Sequence, residues 1–348
     1  MIFLKTIIFG CGGTLGHINP AIAMADYLKK EFNIIFIASI KEKNNNTFDG
    51  LGYKVHYFES CGFNRKYILK NINNYFINRK TKNKITKLMK KENPDIVISM
   101  GGSIGTLAIL AASHLKIKTV IHEQNAVIGF GNRMVMKKVN KVLLSYPIKN
   151  LKNSVVVGNP MRYHENLVKG FEDTFLIVSG SNGAKVVNDF FIDNIKRLNI
   201  INYNVVIIVG SKYYQENIEK IKNIKSDKIT IIEKTNNMEK YYKRAFIVVS
   251  RAGATTINEL INFRKISILI PSPNVTNNHQ YHNAKYYYEK GCFEMLLEKD
   301  LNVSNVNRLF LKMSGVKQRK KYIENIDENK IVNIKEEFLK EIKRLIYE

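Results

Sequence analysis

The feature that most constrains this chain is a pattern that occurs twice: a short β-branched run, a glycine-rich turn and a helical stretch. IIFGCGGTLGHINPAIAMADYL, starting at Ile7, opens the first occurrence, and FLIVSGSNGAKVVNDFFIDNI, starting at Phe175, opens the second. A matching later pair is IVISMGGSIGTLAILAASHLKIKTVI from Ile96 and IVVSRAGATTINELINFRKISILI from Ile247, each reading strand, turn, helix, strand. Apolar runs of this length separated by helical stretches build parallel sheets covered on both faces. The spacing predicts strands at Thr6–Phe9, Ile34–Ala38, Ile96–Ser99, Thr119–His122 and Lys141–Leu144. A second set is predicted at Phe175–Ser179, Val205–Val209, Ile229–Ile232, Ile247–Ser250 and Ser267–Ile270. The economical reading is two Rossmann-like doubly wound α/β domains in tandem.

The turn-forming run Gly158-Asn159-Pro160 marks the joint. It gives an N-terminal domain over 1–157, a C-terminal domain over 158–330 and a tail over 331–348. The tail carries Phe338, Leu339, Ile342, Leu345 and Ile346 on one helical face. It is expected to pack on the body as a helix, with the first domain within reach. A length of 348 residues with 45% apolar content suits two cores.

Residues 96–115 hold no Asp, Glu, Lys or Arg and are long enough to span a bilayer. Gly101, Gly102, Gly105, three serines and His114 instead make this stretch a buried strand, a turn and a buried helix. The three cysteines, Cys11, Cys61 and Cys292, are scattered and form no C-x-x-C, which argues against a disulfide framework or zinc site and for a reducing cytoplasm. The opening MIFLKTIIFGCGG has too short an apolar run for a signal peptide. A net charge of +25 favours anionic partners, although the abundance of Asn, Ile and Lys also fits a biased genome.

Several turns could carry chemistry. Gly12-Gly13-Thr14-Leu15-Gly16-His17 lets the backbone approach a ligand at a helix start, but it lacks the G-x-G-x-x-G dinucleotide spacing. His17 at its mouth is either a base for an attacking hydroxyl or a cap of the turn. Ser179-Gly180-Ser181-Asn182-Gly183-Ala184 suits a diphosphate, or is a structural turn. Glu259, after Ser250-Arg251-Ala252-Gly253-Ala254-Thr255-Thr256, could accept ribose hydroxyls or simply pair with the helix dipole. His122-Glu123-Gln124-Asn125, Gly158-Asn159-Pro160-Met161-Arg162 and Asn277-Asn278-His279-Gln280-Tyr281 are polar clusters at strand ends or loops. Arg162 could grip a phosphate, or each cluster could be a solvated loop. The histidines form no H-E-x-x-H, and no D-x-D or P-loop pattern occurs, so neither a metal enzyme nor an ATPase is indicated. The stretch from Arg65 to Lys91 mixes apolar residues with many cations, as suits an anionic membrane, a charged solvated helix or a nucleic-acid patch.

In their order and spacing, GGTLGH, GGS, HEQN, GNPMR, GSNGA, SRAGATTINEL and NNHQYHNA resemble the MurG family, from about Gly12 to about Ala284. The resemblance implies the GT-B fold, two Rossmann-like domains facing a cleft. It implies inverting transfer of N-acetylglucosamine from UDP-N-acetylglucosamine to an undecaprenyl-linked muramyl-pentapeptide (lipid I), giving lipid II, with no bound cofactor and no metal. It implies an enzyme peripheral to the inner face of the plasma membrane, on an anionic surface, with no nucleic-acid partner. Thr14, Leu15 and Gly16 would line the first loop, and His17 would be the base. Asn125 and Gln280 would contact the donor sugar. Arg162 and Ser181 would hold the diphosphate, and Thr235 would lie by the uracil. Ala254, Thr255, Thr256, Ile257, Asn258 and Glu259 would run under the nucleotide, with Glu259 on the ribose. Leu15 stands where the family usually has glycine. The rivals are another UDP-sugar enzyme on the same fold, such as a 2-epimerase or a glycolipid glycosyltransferase, and a basic nucleic-acid-binding protein.

Overall fold

The structure is a computed structural model, described here for residues 4–62, 69–162, 173–180, 184–200, 203–224, 226–235 and 237–348. The chain divides into two compact units, Met1–Tyr163 with Ile331–Glu348, and His164–Lys330.

The first unit is built on a seven-stranded sheet: β1 (Thr6–Gly10), β2 (Asn33–Ser39), β3 (Lys54–Phe58), β4 (Ile96–Ser99), β5 (Lys118–Glu123), β6 (Lys141–Leu144) and β7 (Ser154–Val156). The order is β3-β2-β1-β4-β5-β6-β7, and every pairing is parallel. Strand alternation splits the core into two layers. Ile7 and Phe9 face one layer with Met24, Leu28 and Phe36, while Ile8 faces the other with Val97, Ile104, Ala108 and Ile121. Both layers are sealed, which is why these strands read as continuous apolar runs.

The C-terminal helix Ile334–Tyr347 belongs to this unit, where Phe338 and Ile342 are fully buried in the layer formed by the helix Leu15–Leu28. The ion pairs Lys141–Glu341 (3.0 Å) and Lys343–Glu31 (2.6 Å) lie around it. The first unit runs on to Tyr163 rather than stopping at 157, because the segment after β7 stays bonded to the helix Leu15–Leu28. The Tyr27 hydroxyl donates to the Met161 carbonyl (2.6 Å), and Arg162 Nε donates to Asp26 (3.1 Å).

The second unit holds β8 (Thr174–Val178), β9 (Asn204–Ile208), β10 (Ile229–Ile232), β11 (Ala245–Ser250), β12 (Ser267–Leu269) and β13 (Glu294–Met295). Their order is β10-β9-β8-β11-β12-β13, again all parallel. Phe175, Ile177, Phe191, Ile207, Val249 and Phe310 centre its core. In both sheets the order reverses beside the first strand of the unit, between β1 and β4 and between β8 and β11. Ligands of doubly wound folds bind outside the carboxyl ends of the strands at such a reversal. The apolar stretch 96–115 is β4, a turn and the buried helix Gly102–His114. Among the described residues, no helix is long and apolar enough to cross a membrane.

Candidate active site

Each reversal point carries its own cluster of polar side chains. In the first unit the chain leaves β1 through Gly10, Cys11, Gly12 and Gly13, and Thr14 then caps the helix Leu15–Leu28. The Gly13 amide donates to Glu42 Oε1 (3.0 Å), and the Cys11 amide donates to the Ile37 carbonyl (3.1 Å). Gly13 is the loop residue that needs a left-handed backbone, at φ +96. Leu15 does not, so leucine stands there without strain, its side chain half exposed at the helix start. From β4, Gly101 and Gly102 (φ +98 and +76) press against this loop. A Cβ on Gly102 would lie 2.4 Å from the Gly12 carbonyl oxygen, and one on Gly101 would lie 3.1 Å from the His17 ring.

Residues Gly101-Gly102-Ser103-Ile104-Gly105 also spell G-x-S-x-G, the pattern of a nucleophile elbow. Here the pattern has another cause. Ser103 lies inside the helix Gly102–His114 without positive φ, and its hydroxyl meets that of Ser60 at 2.9 Å. The glycines are required by close packing: a Cβ on Gly105 would lie 2.3 Å from Ser99 Oγ.

His17 sits in the first turn of its helix, and its Nδ1 lies 3.1 Å from Gln124 Oε1. Gln124 is buried, and its Nε2 faces the carbonyls of Met100 (3.1 Å) and His122 (3.1 Å) and His122 Nδ1 (3.0 Å). His122 Nε2 in turn lies 2.9 Å from the Gly158 carbonyl. Burial, and secondarily the nearby His17, depress the pKa of His122 to about 4 against the raising effect of that carbonyl, so His122 is neutral at physiological pH. Glu123 is buried as well. Its Oε1 accepts from the Asn125 amide and Nδ2 (both 3.1 Å), and its Oε2 accepts from the Gly129 amide and Asn132 Nδ2 (both 2.9 Å). Glu123 therefore shapes the loop that carries Asn125. Arg162, the other candidate of this unit, is about half exposed and paired with Asp26.

In the second unit, β8 leads to Ser179, which is bonded to Asn188, and Asn188 Nδ2 donates to the Val209 carbonyl at 2.9 Å. Ser181 lies outside the described residues. From β11 the chain turns through Arg251 and Ala252 to Gly253, the cap of the helix Ala254–Asn262. Ala254, Thr255 and Thr256 form its first turn, where backbone amides lack helical acceptors. The hydroxyls of Ser250 and Thr255 are buried here without a hydrogen-bond partner among the described residues. Ile257 is buried in the core, so it can reach a ligand only through its backbone, and the Asn258 carbonyl accepts from Asn262 Nδ2. Glu259 Oε2 accepts from the Tyr242 hydroxyl at 2.9 Å. Burial raises the pKa of Glu259 to about 7, against the lowering effect of that hydrogen bond.

Gln280 lies in the helix His279–Glu289, its Oε1 accepting from the Ser272 amide (2.9 Å). Asn283, one turn on, donates to the Ala252 carbonyl (3.3 Å) and braces the Arg251–Gly253 turn. Thr235 follows β10 in the chain, and its hydroxyl accepts from the Asn237 amide (3.0 Å). The structure thus gathers His17 and Asn125 around Gln124 in one unit, and Ala254–Glu259 with the helix of Gln280 in the other. Arg162 and Thr235 stand apart from these groupings. Asn132 and Tyr242, which orient their neighbours, carry no local sequence signal for that role, whereas Asn283 falls within the NNHQYHNA segment. Among the described residues, no group of three His, Cys, Asp or Glu side chains is placed to hold a metal ion. The three cysteines are free.

Two parallel-sheet units of this topology, each with a glycine-rich polar turn at its reversal point, define a protein of the GT-B class, built of two Rossmann-like domains. Residues 7–144 match the glycosyltransferase family 28 N-terminal domain, and residues 174–345 match its C-terminal domain. A protein of Caldicellulosiruptor saccharolyticus is 34% identical over 329 residues, covering 88% of this chain and 89% of that protein. It is named UDP-N-acetylglucosamine--N-acetylmuramyl-(pentapeptide) pyrophosphoryl-undecaprenol N-acetylglucosamine transferase. This chain belongs to that family, the MurG glycosyltransferases. Among solved structures it is similar to MurG of Acinetobacter baumannii, with a TM-score of 0.79 and 22% identity over 98% of this chain and 99% of that one. It is also similar to a UDP-N-acetylglucosamine 2-epimerase, with a TM-score of 0.66 and 13% identity over 99% and 96% of the two chains. The fold alone therefore does not select the reaction.

Proposed function

We propose that this chain transfers N-acetylglucosamine from UDP-N-acetylglucosamine to the lipid-linked N-acetylmuramyl-pentapeptide, with inversion at the anomeric carbon, in peptidoglycan synthesis. Kinship with transferases named for that reaction, along nearly the whole chain, carries this reading over the epimerase alternative.

In the mechanism we infer, the acceptor hydroxyl attacks the anomeric carbon, a carbon–oxygen bond forms, and the bond to the UDP β-phosphate oxygen breaks. His17 takes the hydroxyl proton. Thr14, Leu15 and Gly16 line the acceptor side, and Asn125 and Gln280 address the donor sugar. The first-turn amides of the helix Ala254–Asn262, the Thr255 hydroxyl and Glu259 receive the nucleotide, with Glu259 on the ribose. Ser181 and Arg162 stabilise charge on the departing diphosphate, and Arg162 must first exchange its Asp26 partner. Thr235 contacts the uracil through its backbone.

The membrane side of this reading rests on the helix Lys70–Glu92, rich in lysine and with Glu92 as its single acid. Leu69, Ile72, Tyr75 and Phe76 are exposed at its start. Apolar side chains rimmed by cations fit the surface of an anionic leaflet, where a peripheral enzyme meets a lipid-linked acceptor.

The test is UDP release from UDP-N-acetylglucosamine with and without a lipid I analogue. Release that requires the acceptor, with a disaccharide product, supports the transferase. Conversion of the donor without acceptor would replace it with an epimerase.

A further inference from the structure

We infer that Gln124 is a positioning residue that fixes the tautomer of His17, holding a proton on Nδ1 so that Nε2 carries the lone pair that can accept a proton.

A hydrogen-bond chain runs from His17 to a buried end at the Met100 and His122 carbonyls. The carbonyls of Met100 and His122 can only accept, and both lie 3.1 Å from the same atom of the Gln124 amide. That atom must be the NH2 nitrogen, so the opposite atom, Oε1, is an acceptor with no hydrogen of its own. Facing Oε1 at 3.1 Å, His17 Nδ1 must then be the donor. A neutral imidazole carries one hydrogen, which leaves Nε2 bare.

The same logic orients the next ring. The Gly158 carbonyl requires a hydrogen on His122 Nε2, so His122 Nδ1 accepts from Gln124. Each atom has one consistent donor or acceptor role, the two Gln124 Nε2 hydrogens being shared among three acceptors, and the chain ends on backbone carbonyls that cannot flip. His122, sealed and ring-packed against Phe338 at 5.3 Å, stays uncharged, so it adds no positive charge against the imidazolium that forms when His17 takes a proton. Two buried carboxylates of this unit, Glu42 in the helix Ile40–Asn44 and Glu123 at the end of β5, accept from the Gly13 amide and from Asn125, Gly129 and Asn132, and among the described residues neither is hydrogen-bonded to His17. The dipole in direct contact with His17 is that of Gln124. Such a dipole both selects the tautomer and favours the charged ring once formed.

This inference rests on His17 as the base, yet its first test does not need activity. Protein labelled with 15N-histidine, with the His17→Asn variant identifying the signal, reports the tautomer directly by NMR. At pH 8 His17 should show protonated Nδ1 and bare Nε2; the opposite tautomer in the native protein would overturn the inference. Gln124→Met should lose that preference and lower kcat about 10- to 100-fold, a share of the ~10²–10⁴ a positioned base supplies. Donor KM should be unchanged. Gln124→Glu places a carboxylate on the same ring, so the acidic limb of the kcat/KM profile should move to higher pH. If both variants cost only thermal stability, with kcat and the pH profile unmoved, Gln124 is structural and the inference fails. An absence of any transfer by the native protein would instead sink the transferase reading and leave the NMR result standing.

Discussion

The half-buried carboxylate of Glu259 accepts a hydrogen bond at 2.9 Å from the hydroxyl of Tyr242, a side chain sealed in the second unit. The two residues are 17 positions apart. Tyr242 lies in the last turn of the helix Met238–Arg244, and Glu259 stands just over one turn into the helix Ala254–Asn262. The pairing holds a carboxyl group with a pKa near 7 where a nucleotide ribose is proposed to bind.

UDP affinity is expected to depend on pH. Below about 7 Glu259 is protonated, and binding a diol through the carboxylate requires proton release, so affinity should rise from pH 6 to pH 8. Glu259→Gln should weaken UDP binding by about 1.5–3 kcal/mol, the range for a charge-assisted hydrogen bond, and flatten the pH dependence. Tyr242→Phe removes the interaction that lowers the pKa, so its midpoint should move up. Calorimetric titration of UDP at several pH values checks all three.

The same group affects stability with the opposite sign. Its folded pKa lies above the ordinary 4.5, so the folded state binds more protons between about 4.5 and 7. Its contribution to stability is full below that window and is lost as pH rises through it. Against wild type, Glu259→Gln should show a smaller fall in thermal midpoint between pH 5 and pH 8.

Replacing His17 by alanine should reduce kcat by about 10²–10⁴, the usual contribution of a positioned base, while leaving UDP affinity within about twofold. Single-turnover assays paired with UDP titration separate the two effects. Unchanged turnover would remove His17 from the mechanism.

Gly102→Ala should destabilise the first unit by about 1–3 kcal/mol, because the new methyl group meets the Gly12 carbonyl at 2.4 Å on a backbone at φ +76. Urea denaturation measures the loss. Activity should fall too, since the displaced loop carries Thr14 to His17.

Phe338→Ala should cost about 3–5 kcal/mol, the range for truncating a buried aromatic side chain. The loss should appear in the first unit, to which the C-terminal helix belongs, and differential scanning calorimetry can assign it.

Phe76→Asp and Ile72→Asp should reduce co-sedimentation with vesicles containing anionic lipid and leave turnover of a water-soluble acceptor analogue unchanged. Wild-type binding should weaken as salt is raised, because the lysines of the same helix act through screened charge.

Much of this architecture was legible in the sequence. The ten expected strands are all present within about two residues of their predicted ends, because a strand covered on both faces must be apolar throughout. Three further strands carry no comparable apolar run. Lys54–Phe58, Ser154–Val156 and Glu294–Met295 lie at sheet edges, two are very short, and partial exposure dilutes their apolar signal. Motif order likewise pointed to the family. By itself, then, the sequence determined two parallel-sheet units and the polar turns at their reversal points, since local periodicity and glycine placement suffice for both. Only the tertiary structure decided which unit the C-terminal helix completes, for an amphipathic face demands burial without naming its partner. Only the tertiary structure joined His17, Met100, Gln124, His122 and Gly158 into one hydrogen-bond chain. Hydrogen-bond roles are fixed by what each atom faces, and those atoms come from parts of the chain that meet only when the strands are laid side by side.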